Sequence, residues 1–136
     1  MPERTADVQD RDIERAVALL GPLEGRMMCA VWTGQVTDTF VVRDVQALMP
    51  QLAYTTVMTT LRRLADKGLL TARAEPGRRA HEYRAAGTAA DYLLRASHDE
   101  AAQFVARYGD AALSAFAARL ADLTPEQRRR LEDLAG

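Results

Sequence analysis

The sequence predicts a mainly α-helical fold carrying one small β-hairpin, and three observations support this. Apolar residues recur at three- and four-residue steps as far as Lys67, alternate over Leu70–Arg84, and return to helical spacing after Gly87. Glycine and proline punctuate the changes, at Gly21-Pro22, Thr33-Gly34, Pro50, Gly68 and Pro76-Gly77. Charge is uneven in the same places. The 136 residues sum to a formal charge of −1, yet residues 53–84 hold seven basic and three acidic side chains. Five basic against eight acidic precede that stretch, and six against eight follow it. A basic centre between acidic flanks is the electrostatic footprint of a phosphate-binding surface.

Composition narrows the classes further. With 48% hydrophobic and 27% charged residues the chain is an ordinary globular protein. Its longest apolar runs are a few residues, which excludes a helical membrane span and a secretory core, so a cytoplasmic protein is expected. Cys29 is the sole cysteine, which excludes an intramolecular disulfide or a multi-cysteine metal site. Seventeen of the 18 basic residues are arginine and Lys67 is the only lysine, a bias read mainly as codon usage.

Residues 1–9 read as frayed. From Asp10 to Leu20, Ile13, Ala16, Val17 and Leu20 form the stripe of a short amphipathic helix. Pro22 suits the first turn of the next helix, Pro22–Thr33, whose apolar side includes Leu23, Met27, Met28, Val31 and Trp32. A polar loop follows, with Phe40-Val41 as a very short strand. Val42, Val45, Leu48 and Met49 then mark a helix ended by Pro50. Over Ala53–Lys67 a buried stripe of Val57, Leu61 and Leu64 opposes a face of Thr55, Thr56, Thr59, Arg62, Arg63 and Asp66. Threonine at 55, 56, 59 and 60 lowers helix propensity, so this helix is not optimised for its own stability. Gly68 terminates it. Alternation on both sides of Pro76-Gly77 then predicts a hairpin with Arg78 and Arg79 at its tip. One long helix is expected from about Ala89, another after Gly109, and a third opened by Thr124, Pro125 and Gln127 as a capping box.

Helices followed by a polar-faced helix and a hairpin are the element order of a winged helix-turn-helix, with the third helix of that core in the DNA major groove. Three regions are expected: an extension (1–19), a winged-helix domain (20–87) and a helical dimerisation region (88–136). The recognition helix falls at about 53–67 and the wing at 76–80. Threonine contacts base edges and thymine methyls, arginine pairs with guanine, and wing arginines reach the backbone. The last 49 residues are too few for a generous core of their own. Leu93, Phe104, Val105, Tyr108, Leu113, Phe116, Leu120 and Leu131 are therefore expected to meet a second copy, matching two DNA half-sites. A winged-helix module that binds protein and not DNA is the alternative, distinguished by an apolar outer face on Ala53–Lys67.

Rival sites are weak. Cys29 among Met28, Ala30 and Val31 reads as a buried structural thiol. His81 and His98 have no neighbouring cysteine or second histidine, so no metal or other cofactor is expected. Neither a nucleophile–base signature nor a glycine-rich phosphate loop is present, and no enzyme is expected.

Four segments resemble the BlaI/MecI/CopY (penicillinase repressor) family of bacterial regulators: LEGRMMCAVW from Leu23, Val42-Arg43-Asp44-Val45, YTTVMTTLRRLADKGLL over Tyr54–Leu70, and GRRAHEYR over Gly77–Arg84. The resemblance covers roughly residues 20–136. It implies a homodimeric repressor on palindromic, double-stranded operator DNA, with recognition contacts at Thr55, Thr56, Thr59 and Arg63 and wing contacts at Arg78 and Arg79. It also implies a regulatory protease acting downstream of a membrane sensor. The family's Asn–Phe scissile pair aligns with Ala115-Phe116, where alanine replaces asparagine. The C-terminal cysteine cluster of the copper-responsive members is missing.

Overall fold

Helix α1 (Pro2–Ala18) begins well before Asp10, where the apolar stripe starts. The polar first turns contain no breaker beyond Pro2, which a first helical turn accommodates, so an apolar stripe is not needed for the helix to extend. The expectation that residues 1–9 fray is corrected accordingly. The computed structural model describes residues 2–74, 77 and 81–135, with side chains from residue 7 onward. After α1 come α2 (Pro22–Trp32), α3 (Val42–Leu48), α4 (Tyr54–Asp66), strands β1 (Leu70–Ala74) and β2 (His81–Ala85), and helices α5 (Ala89–Tyr108), α6 (Asp110–Ala121) and α7 (Pro125–Ala135). The mainly helical fold with a two-stranded antiparallel hairpin is therefore as expected.

The chain divides into two compact units, Met1–Arg95 and Ala96–Gly136. The first unit holds a continuous core of Met27, Met28, Phe40, Val42, Val45, Met49, Val57, Leu61, Leu64, Leu69, Leu70 and Tyr83. The expected α4 stripe is fully buried in it, Val57, Leu61 and Leu64 each at 0% exposure. Each such side chain contributes about 1.5–3 kcal/mol of burial free energy. Helix α1 packs on α2 where Val17 meets Gly25. A Cβ on Gly25 would lie 2.9 Å from Val17 Cγ1, so the close approach of the two helices depends on glycine there.

The hairpin pairs Leu70 with Ala85, Ala72 with Tyr83 and Ala74 with His81 on one face, and Thr71 with Arg84 and Arg73 with Glu82 on the other. The expected strand at Phe40-Val41 is a single bridge. Phe40 N–H donates to the Tyr83 carbonyl (2.9 Å), and Tyr83 N–H donates back (2.7 Å). Their rings stack at 6.1 Å. This bridge fastens β2 to the helical core.

In the second unit, Gly109 separates α5 from α6 with φ +58°, a conformation that favours glycine. Phe104 packs against Tyr108 (5.0 Å) and Phe116 (5.5 Å). The predicted cap of α7 is present: Gln127 N–H donates to Thr124 Oγ1, and Thr124 N–H donates to Gln127 Oε1. Ala112 is the one buried hydrophobic residue among those described in this unit.

Candidate nucleic-acid interface

Because its buried stripe is fixed in the core, α4 must turn its opposite face outward. Thr55, Thr59, Arg62 and Arg63 are exposed, whereas Thr56 is half-buried. Thr60, one of the four clustered threonines, is buried, and its hydroxyl donates to the Thr56 carbonyl at 2.8 Å. Back-bonding of this kind satisfies the hydroxyl inside the first unit. Sequence reasoning passed over Tyr54, which opens α4 and is 40% exposed. Ala53, the N-cap residue ahead of α4, provides no side-chain cap, and the first turn holds no acidic residue, leaving the positive end of the helix open.

The far end of α4 is closed. Arg95 donates to the carbonyls of Gly68 (3.1 Å) and Lys67 (3.3 Å), placing a cation at the negative helix terminus. The same guanidinium lies 5.7 Å from the Tyr92 ring centroid, and Tyr92 contacts Trp32. Lys67 itself is bound to Glu24 at 2.8 Å, with Glu24 largely buried. The only lysine is thus a structural tie, and arginine carries the free positive charge.

On the hairpin, Arg73, Arg84 and Thr71 are exposed on the face turned away from Tyr83. Arg73 and Arg84 entered the charge count but were not singled out as site residues. The charge signal alone marks them. Arg78 and Arg79, the wing-tip expectations, lie outside the described residues, as do Pro76 and Ala80. Tyr83 joins the two elements: burial pushes its phenol up, opposed by the nearby Arg62 guanidinium.

The other candidates stand apart. Cys29 is half-buried with a free thiol, less enclosed than expected. His81 is half-buried beside Tyr83 and His98 is exposed on α5. Among the described residues no group of three or more His, Cys, Asp or Glu is placed to hold a metal. Among the described residues no helix is long and apolar enough to cross a membrane. Ala115 and Phe116 lie inside α6, both exposed. Leu93 and Val105 are half-buried, and Phe104, Tyr108, Leu113, Phe116, Leu120 and Leu131 are exposed.

A helical platform that presents a threonine- and arginine-faced helix beside an arginine-bearing hairpin defines a winged-helix DNA-binding protein. The comparison of families narrows that class. The chain belongs to the penicillinase repressor family, which matches residues 20–136, and is a DNA-binding transcriptional regulator of that family. Helix α1 precedes the matched region entirely. No curated protein matches the chain in sequence. Among solved structures, a cysteine-to-serine mutant of MarR from E. coli complexed with operator DNA aligns at TM-score 0.44 and 15% identity, covering 98% of this chain and 86% of that one. Wild-type apo MarR from E. coli aligns at 0.43 and 15%, covering 98% and 90%. BpsR of Bordetella bronchiseptica, described with regulation of its DNA binding by 6-hydroxynicotinic acid, aligns at 0.44 and 15%, covering 97% and 96%.

Proposed function

We propose that this regulator represses transcription in the cytoplasm as a homodimer on a palindromic operator, with α4 of each copy in a major groove. The observation that carries the reading is the outer face of α4. Thr55, Thr59, Arg62 and Arg63 are solvent-facing, beside a helix start open to a phosphate. A protein-binding module would need an apolar face there. Thr56 contributes from the edge of that face, and Arg78 and Arg79 act as backbone contacts of the wing.

The dimer reading is supported by the exposed apolar side chains of α5, α6 and α7. Phe104, Tyr108, Leu113, Phe116, Leu120 and Leu131 together are more apolar surface than a free helical arm carries without a partner. Leu93 and Val105 complete the set. Induction by a protease at Ala115-Phe116, downstream of a sensor, would have to unwind α6, because a protease reads extended chain.

Titration of the full-length protein against its operator tests the reading. Arg63→Ala should weaken operator binding by about 1–3 kcal/mol and relax base discrimination at one position. Replacing Arg78 or Arg79 by Ala should weaken all sequences alike and flatten the dependence on salt. Unchanged affinity and salt slope across these variants would overturn the assignment. Sedimentation of the full-length chain as a monomer would overturn the homodimer.

A further inference from the structure

Helix α1, which lies ahead of the family match, builds one wall of a groove on the first unit. The groove encloses about 750 Å³. Asp12 and Ile13 line it from α1, Val31 and Trp32 from α2, and the turn at Gly87 with the first residues of α5 closes it. The indole N–H of Trp32 is committed to the Gly87 carbonyl at 3.0 Å, so Trp32 offers the groove apolar ring. Carboxylates stand on two walls, Asp12 on α1 and Asp91 on α5, and no lysine or arginine lines the groove. Asp12 has no ion pair among the described residues.

Helix α7 has the inverse character. None of its described residues is buried; Leu131 is 42% and Leu134 85% exposed. At 100° per residue, Leu131, Leu134 and Ala135 share one strip with Gln127 of the first turn; Arg128 and then Glu132 follow on one flank, Arg130 and then Glu126 on the other. Neither arginine has an ion pair among the described residues.

We propose that this groove seats α7 of a second copy of the chain, Leu131 and Leu134 against the apolar floor and the flanking arginines against Asp12 and Asp91. The proposal rests on the homodimer reading and adds where the partner's last helix goes. The occupant must bring an apolar strip edged by cations on both sides. This chain contains such a helix, uncovered, and a two-fold pair would use groove and helix twice. The apolar contact supplies most of the affinity, and the charges fix the register.

The test mixes two full-length preparations, both carrying Cys29→Ser, one with Val8→Cys on the groove wall and one with Ala135→Cys beside the leucine anchors. Both positions are exposed, so neither change disturbs the core. A short thiol-reactive cross-linker should join them into a heterodimer, in excess of any product from either preparation alone. Asp12→Arg in the first preparation should cut the yield several-fold, and reversing the one arginine that faces it in the second, Arg128→Asp or Arg130→Asp singly, should restore it. Deleting residues 1–19 should raise the dimer dissociation constant at least about tenfold, the loss expected for uncovering one large apolar side chain. A dimer by sedimentation that gives no mixed cross-link overturns this seat and leaves the homodimer standing. A small molecule or a different protein in the groove would also leave the mixture unlinked and counts against it. A monomer overturns both readings.

Discussion

The two units of this chain use apolar residues in opposite ways. Met1–Arg95 encloses Met27, Phe40, Leu61, Leu64 and Tyr83 almost completely, whereas Ala96–Gly136 buries only Ala112 among its described hydrophobic residues. The second unit also carries large apolar side chains, and it leaves most of them uncovered. Phe104, Tyr108, Leu113, Phe116 and Leu120 stand between 37% and 56% exposed. A segment of 41 residues has too little interior to hide such side chains by itself. The contrast separates a region with an interior of its own from one whose apolar side chains stay exposed, and the proposed homodimer would give the second its use.

The sharpest way to break this contrast is to cut one side chain from each unit. Leu61→Ala removes a fully buried side chain and should cost about 2–5 kcal/mol, read as a large fall in Tm. Leu113→Ala, in a sample dilute enough to be monomeric, should change Tm by far less. Equal losses would show that the second unit has a core of its own.

A smaller effect is expected at Gly25→Val. The new side chain meets Val17 Cγ1 and the Val17 carbonyl, so α1 must shift off α2 at a cost of about 1–3 kcal/mol. Circular dichroism and thermal melts check it. An unchanged Tm would show that α1 contributes nothing to the first unit.

The smallest effect concerns pH. The Thr88 backbone N–H, and then its side chain, hold the Asp91 carboxyl below the usual carboxylate range. A depressed folded value means that the contribution is present above the ordinary carboxylate pKa and lost as pH falls through the lowered one. The first turn of α5 should therefore loosen only in that acid window, seen as faster amide exchange at Thr88 and Asp91. Asp91→Asn should remove the pH dependence. Exchange that speeds up equally in the variant would assign the acid effect to another group.

What could be read beforehand was what local spacing controls. Val57, Leu61 and Leu64 announce the buried stripe of α4 because a helix returns to the same face every three to four residues. Thr124 and Gln127 announce the α7 cap because both partners lie within one turn. Contacts between distant positions left no such mark. Lys67 meets Glu24 across 43 residues, and Arg95 reaches the Gly68 carbonyl across 27. The helical wheel does separate Thr60, which falls beside Val57 and Leu64 and is turned inward, from Thr55 and Thr59 on the opposite side. On the outer face of α4, Arg62 and Arg63 were legible from the helical wheel. Tyr54 was not, because an aromatic residue at a helix start signals core and surface equally.

The solitary lysine has a practical side. Lys67 is the only side-chain amine in the sequence, and half of its side chain remains accessible although it is bound to Glu24. It stands just past the closed end of α4, about 20 Å along the helix from Tyr54 at the open end. Amine chemistry directed at the side chains therefore has one address. A dye placed there rides on α4 at the end far from Tyr54 and Thr55, one turn beyond Arg63. Its polarisation would follow the helix onto an operator.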